Sequence, residues 1–163
     1  MSHAASRLNY AEQSPDLFKK LQDLSIAIAK SGHIDHALAL LVDIRASQMN
    51  GCAFCLDMHV KQAKLDGERE LRLHHVAIWR ESPLFNPKER VALAYTEALT
   101  GIAPDGISDE LYAALREQFS EKELSTLTFQ VMGINAWNRV NVAFRTAPGI
   151  RDKAFGLDKA GLF

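Results

Sequence analysis

Apolar residues recur at three- and four-residue intervals along most of this chain, which is the spacing of one face of an α-helix. The first such stretch predicts a helix that starts at the cap and proline pair Ser14-Pro15 and ends at Gly32. A second helix is predicted from about Asp35 to Gln48. No hairpin signal, internal repeat or low-complexity segment interrupts the pattern. The sequence therefore predicts an all-α fold.

The predicted third helix runs from Gly51 to Leu65, with Asn50 as its N-cap and Gly67 just beyond its end. Four further helical segments follow: Glu68 to about Trp79, Pro87 to Thr100, Ser108 to Gln118, and Ser120 to about Arg145. Two of them begin with the residues of a capping box, Asn86 with Glu89 and Ser120 with Glu123.

Composition narrows the classes of partner. The chain has 163 residues, 47% of them hydrophobic and 24% charged, and a net charge of −1, which gives no electrostatic reason to bind nucleic acid or a membrane surface. The longest apolar run, residues 37–44, is far shorter than the roughly 20 residues of a membrane span. The first residues lack the apolar core of a secretion signal, so we expect a cytoplasmic protein.

The chain has two cysteines, Cys52 and Cys55, three residues apart, and His59 follows one helical turn after the second. On a helix the three side chains lie within about 60° of one another and share one face. The first turn of a helix favours a thiolate, and an imidazole four residues from Cys55 can accept its proton. The dipole alone favours Cys52 as the reactive sulfur, whereas the base favours Cys55. The group predicts a redox-active dithiol.

Other roles for the pair remain open at this level. A structural zinc needs a fourth ligand from elsewhere in the chain, and inert core cysteines are common. The candidates for that ligand are His33, His36, His74 and His75. Covalent haem attachment requires histidine directly after the second cysteine, where this chain has Leu56. A thioredoxin-like fold requires a strand before the motif, and the helical pattern supplies none.

The segment Arg45–His59, with the sequence RASQMNGCAFCLDMH, resembles the core motif of the AhpD-like alkylhydroperoxidases of the carboxymuconolactone decarboxylase superfamily. The similarity covers roughly residues 15–149 and continues in four further segments: Trp79–Ser82, Glu89–Arg90, Thr96–Thr100 and Ile134–Arg139. The resemblance implies an all-helical domain over 15–149, and the two ends fall outside it. We expect an N-terminal arm over 1–14 and a C-terminal tail over 150–163, although the polar last segment with its isolated apolar residues is also compatible with a docking arm. The resemblance also implies assembly as a homotrimer or homohexamer.

The resemblance further implies a reaction. Cys55 attacks a peroxide, Cys52 resolves the product to a disulfide, and His59 belongs to a proton relay. An external dithiol, carried by a lipoyl-bearing or thioredoxin-like protein, then reduces the disulfide. No cofactor and no metal is expected.

One position departs from the family pattern. The relay usually begins with a glutamate twelve residues before the first cysteine, and this chain has Leu40 there. Asp43, one turn further along the same predicted helix, and Glu97 are the candidate replacements. A solvated surface charge is the favoured interpretation of Asp43, and a helix-face ion is the alternative for Glu97. The missing glutamate keeps open a non-enzymatic redox sensor or stress-response module that forms the same disulfide. The superfamily also includes lactone-acid decarboxylation, which needs no dithiol, so the cysteine pair argues against it.

Overall fold

The computed structural model describes residues 6–162, and all regular secondary structure in that range is helical. The helices are α1 (Tyr10–Gln13), α2 (Pro15–Ser31), α3 (His36–Met49), α4 (Ala53–Leu65), α5 (Glu70–His75), α6 (Pro87–Gly101), α7 (Asp109–Gln118), α8 (Glu121–Phe144) and α9 (Asp152–Phe155). Two short 3-10 helices cover Val76–Ile78 and Leu157–Ala160. The all-α prediction is confirmed.

Helix α3 lies at the centre of the bundle. It packs against α4, α6 and α8, and it is apolar on every side rather than on one face, as expected of a helix that is surrounded by others. Its buried positions include one charged side chain, that of Asp43. The core helix therefore carries an ionisable group into the interior.

Local capping signals account for most of the helix boundaries. The capping boxes at Asn86 and Ser120 are both formed, and Gly32 ends α2 in the left-handed conformation with φ 64°. The prediction of Asn50 as the N-cap of α4 is wrong. Asn50 is the C-cap of α3, and the N-cap of α4 is Cys52. The Asn50 amide is engaged elsewhere, because it donates to side chains of α8.

Both ends of the described chain pack on the bundle. The Arg7 N–H donates to the Phe144 carbonyl at 2.9 Å, which ties the N-terminal residues to the end of α8. At the other end Leu157 is buried in the C-terminal segment, which packs against α4. Nearly buried Lys61 bridges Asp57 at 2.9 Å and Asp152 at 2.6 Å. The C-terminal segment therefore packs on the bundle, and the division of the chain at residues 15 and 149 stays a prediction.

Within residues 6–162, none of the helices is both long enough and apolar enough to cross a membrane.

Candidate active site

The turn between α3 and α4 places the two cysteines. Gly51 takes φ 63°, a conformation that glycine adopts without strain, and the chain reverses there. The Cys52 N–H then donates to the Ser47 carbonyl at 3.0 Å. Cys52 is in extended conformation at the N-cap, and its Sγ accepts the N–H of Cys55 at 3.3 Å. Cys52 and Cys55 are joined by a disulfide.

The disulfide is buried at the edge of a pocket. Cys52 is 2% exposed and Cys55 1%, and they pack against apolar side chains of α3, α4 and α8. A pocket of about 360 Å³ opens beside them. Cys52 belongs to its lining and Cys55 does not. The pocket therefore adjoins the disulfide at Cys52 rather than at Cys55.

A row of asparagines on α8 holds the turn in place. Asn50 donates to the side-chain oxygens of Asn135 at 3.0 Å and of Asn138 at 2.9 Å. Asn138 in turn donates to the hydroxyl of Ser47 at 3.0 Å. Buried polar groups need such partners, and here the partners connect the α3–α4 turn to α8. The position of the cysteines thus depends on a helix far away in sequence.

The third asparagine of this row contacts sulfur directly. Asn141 donates one N–H to the Cys55 Sγ at 3.7 Å and the other to the Trp137 carbonyl at 2.9 Å. Its oxygen accepts the hydroxyl of Tyr10, from α1, at 3.1 Å. Sequence reasoning did not identify Asn141. The signal was the three-residue spacing of Asn135, Asn138 and Asn141, which places three amides on one face of an otherwise apolar helix.

His59 lies on α4 one turn after Cys55, and its partner is Asp43. The imidazole Nδ1 is 3.5 Å from the Asp43 Oδ2. The other oxygen of Asp43 accepts the side-chain amide of Gln130, from α8, at 2.6 Å. Asp43 is 6% exposed, so its interpretation as a solvated surface charge is wrong. The charge is buried because α3 is surrounded by other helices.

Burial shifts the pKa values of Asp43 and His59 in opposite directions. Loss of water raises the pKa of Asp43 to about 7, although the hydrogen bond from Gln130 opposes that change. The same loss of water lowers the pKa of His59 to about 4. The short distance by itself suggests an ion pair, but desolvation favours the neutral imidazole. Near neutral pH His59 is therefore unprotonated and able to accept a proton.

The two other positions singled out in the relay have different surroundings. Leu40 is buried in an apolar cluster with residues of α4 and α6. Glu97 is held by cations and an indole: it accepts the Arg45 Nε at 2.7 Å and the Trp79 Nε1 at 2.8 Å, and it pairs with Arg80. Among residues 6–162, the hydrogen-bond and ion-pair partners of Glu97 include neither His59 nor a cysteine. Of the two candidate carboxylates, the fold brings Asp43 to the site.

Three of the histidines considered as zinc ligands, His33, His36 and His75, have partners other than the cysteines. His36 pairs with Asp66 at 3.0 Å, and His75 bonds the Ser82 hydroxyl at 3.0 Å. Across residues 6–162, no group of three or more histidine, cysteine, aspartate or glutamate side chains is arranged to hold a metal ion.

Comparison with known proteins places the chain in a family. The model of the carboxymuconolactone decarboxylase family matches residues 15–98. The uncharacterised protein YdfG of Bacillus subtilis is 37% identical over 139 residues, which are 85% of this chain and 94% of YdfG.

Solved structures support this family assignment. ATU0492 of Agrobacterium tumefaciens, a protein of unknown function whose suggested identity is the antioxidant defence protein AhpD, has a TM-score of 0.86 at 40% identity over 90% of this chain and 99% of its own. The debrominase Bmp8 shares the fold alone, with a TM-score of 0.76 at 22% identity over 91% of this chain and 79% of its own. The resemblance drawn from the cysteine motif is confirmed: the chain belongs to the carboxymuconolactone decarboxylase family and has the AhpD-like fold.

Proposed function

We propose that the protein is a thiol-dependent peroxidase that reduces organic or hydrogen peroxides through a Cys52/Cys55 dithiol–disulfide cycle. The observation that supports this most strongly is the disulfide at the start of α4, with the His59 imidazole one turn after it and paired with buried Asp43. A buried base next to a pair of cysteines serves to remove a proton from a thiol. The membership of an AhpD-like family is in keeping with this chemistry.

The reaction begins when the Cys55 thiol gives its proton to His59. The thiolate attacks one oxygen of the peroxide and the O–O bond breaks. The other oxygen leaves as alcohol or water after taking that proton, and Cys55 becomes a sulfenic acid. The Cys52 sulfur then displaces the hydroxyl as water, and the disulfide forms. The chain has no third cysteine, so an external dithiol must supply the two electrons and two protons that restore the thiols.

The role of Asp43 is to orient His59. A carboxylate that accepts the Nδ1–H leaves the lone pair of Nε2 free to take a proton. Gln130 fixes the other oxygen of the carboxylate, so the pair is held from two helices. Asp43 thereby takes the place of the glutamate that position 40 lacks.

The reductant and the assembly follow from the family resemblance. A lipoyl-bearing or thioredoxin-like protein carries a dithiol of the required kind, and the pocket beside Cys52 gives such a group access to sulfur. A homotrimer or homohexamer remains the predicted assembly.

Steady-state peroxide consumption tests the function. The reduced protein is supplied with dihydrolipoamide and, in turn, hydrogen peroxide and tert-butyl hydroperoxide. We expect turnover at least a hundredfold above that of dihydrolipoamide alone, given the usual size of general-base effects. Turnover no faster than the free thiol would reject the peroxidase and favour a redox sensor that uses the same disulfide.

Single replacements by serine test which sulfur is attacked. After one equivalent of peroxide, dimedone should label Cys55 in Cys52→Ser, because the sulfenic acid then has no partner thiol. In Cys55→Ser we expect little label. A dimedone adduct that forms on Cys52 alone would reverse the two roles.

A further inference from the structure

Both N–H groups and the oxygen of the Asn141 side-chain amide have hydrogen-bond partners. One N–H is bound to the Trp137 carbonyl, which can only accept, and this fixes which end of the amide carries nitrogen. The oxygen is held by the Tyr10 hydroxyl. The second N–H is therefore aimed at the Cys55 Sγ, and the residue is 3% exposed.

A hydrogen bond to a disulfide sulfur compensates poorly for the desolvation of a buried N–H group. Neutral sulfur accepts weakly, whereas a thiolate is a strong, charged acceptor. An amide fixed on Cys55 by two other hydrogen bonds is in place before the charge develops, so little reorganisation accompanies it. We propose that Asn141 is a catalytic residue that stabilises the Cys55 thiolate, and that Tyr10 is the positioning residue that holds its amide. The inference rests on the dithiol cycle above.

The assignment gives a direction to disulfide reduction. A thiolate of the external dithiol attacks the Cys52 Sγ, because Cys52 and Asn141 line the pocket and Cys55 does not. The Sγ–Sγ bond breaks, and Cys55 departs as a thiolate that accepts the Asn141 N–H and later a proton. The second thiol of the reductant then attacks the mixed disulfide, which releases Cys52 and the oxidised reductant. A better stabilised leaving thiolate speeds the first step.

The titratable groups near Cys55 come from several elements. Cys52 at the N-cap and His59 within α4 flank it, Asp43 of α3 lies behind His59, and Tyr10 of α1 lies behind Asn141. Two cations lie further out: Arg145 lines the pocket, and Arg151 acts electrostatically on Tyr10. The test variants alter Asn141 or Tyr10 and keep His59 and Asp43. For the thiol measurements Cys52 is replaced by serine, so that Cys55 is the single thiol. Serine is a favoured N-cap, so α4 retains its start.

The pH dependence of iodoacetamide alkylation in Cys52→Ser measures the thiol pKa of Cys55 without any peroxide. We expect Asn141→Leu to raise that pKa by about one unit or more, the usual worth of a hydrogen bond to a charged group. Asn141→Asp keeps the shape but replaces the donor with an acceptor, so the rise should be larger. With both cysteines present, reduction of the disulfide by dithiothreitol should slow about three- to tenfold in Asn141→Leu.

A matched pair of hydroxyl deletions tests the positioning residue. Tyr10→Phe removes the group that holds the Asn141 oxygen and should raise the Cys55 pKa by about half a unit. Tyr95→Phe removes a comparable hydroxyl, bonded to Thr128 at 2.9 Å and remote from the cysteines, and should leave the Cys55 pKa unchanged. A merely structural role for Tyr10 predicts the same result for both.

An unchanged Cys55 pKa in folded Asn141→Asp, together with equal effects of Tyr10→Phe and Tyr95→Phe, overturns the proposal. If Asn141→Leu does not fold, those two comparisons still decide it. The outcome is separate from the fate of the peroxidase: a shifted Cys55 pKa in a protein without peroxide turnover supports the role of Asn141 while rejecting the activity.

Discussion

Asp43 and Glu97 are both shielded carboxylates on core helices, yet the structure gives them opposite surroundings. Asp43 receives one neutral amide and faces a neutral imidazole. Glu97 receives two guanidinium groups and an indole N–H. Burial opposes ionisation at Glu97 as well, but the hydrogen bonds from Trp79, Arg80 and Arg45 outweigh it and lower its pKa. Both carboxyls are desolvated, so the additional hydrogen-bond donors around Glu97, from Trp79, Arg80 and Arg45, distinguish the group with the lowered pKa from Asp43.

The largest expected effect is on the pH dependence of stability. Between about pH 4 and pH 7 the native chain keeps a proton on Asp43 that the unfolded chain, with an ordinary pKa of 3.8, has lost; stability therefore falls as pH rises. Between about pH 4 and 6.5 the unfolded chain binds a proton on His59 that the native chain does not, so stability rises with pH. The two contributions oppose each other in the parent protein.

Single substitutions remove this cancellation. Relative to the parent, the free energy of unfolding of His59→Gln should fall as pH rises from about 4 to 6.5, and that of Asp43→Asn should rise from about pH 4 to 7. Each difference should approach about 1 kcal/mol per pH unit. Urea unfolding at half-unit pH steps measures both. Slopes of the same sign in the two variants would contradict the assigned protonation states.

The next effect should appear at Glu97. Glu97→Gln leaves the largely buried guanidinium of Arg45 without its carboxylate, which should cost about 2–3 kcal/mol of stability. The exposed pair Arg116–Glu121 provides the control, since Glu121→Gln should change stability by less than about 0.5 kcal/mol. Turnover per folded molecule should be unchanged in both. A loss of turnover in Glu97→Gln without a loss of stability would make Glu97 the relay carboxylate instead.

Asp43→Asn tests the other side of the comparison. We expect peroxide turnover to fall at least tenfold, because asparagine cannot accept a hydrogen bond with the strength of a carboxylate and no longer fixes the His59 tautomer. Stability should change little near pH 4, where native Asp43 is already protonated, and should exceed that of the parent at pH 7, since a neutral amide of the same size replaces a carboxyl whose burial opposes ionisation. Circular dichroism melts beside the kinetic assay separate the two. Turnover equal to that of the parent would end the role proposed for Asp43.

The sequence predicted these sites unevenly, and the reason lies in the range of the contacts. Spacing along one helix was enough to group Cys55 with His59, and capping residues such as Ser120 marked helix starts that the structure confirms. The cap of α4 was missed because Asn50 bonds to α8, 85 and 88 residues away. The surface interpretation of Asp43 failed for the same reason. Its burial depends on how α3 packs, which a local pattern does not specify.

The smallest effect should come from replacing Gln130, whose side-chain amide donates a hydrogen bond to Asp43. Gln130→Leu removes a donor that favours the carboxylate, so the pKa of Asp43 should rise further. At pH 7 more molecules then carry a protonated Asp43, whose hydroxyl donates to Nδ1 and places the imidazole proton on Nε2, where it blocks proton transfer from the thiol.

We expect a roughly twofold lower turnover at pH 7, from about half a pKa unit of additional protonation, and a smaller deficit as pH rises. Gln62→Leu is the control, since its amide donates to Asp66 on the surface at 3.0 Å and should leave turnover unaffected at every pH. A deficit in Gln130→Leu that stays constant with pH would mean that Gln130 acts by packing alone. In that case Gln130, on α8, would not influence His59 through the protonation of Asp43.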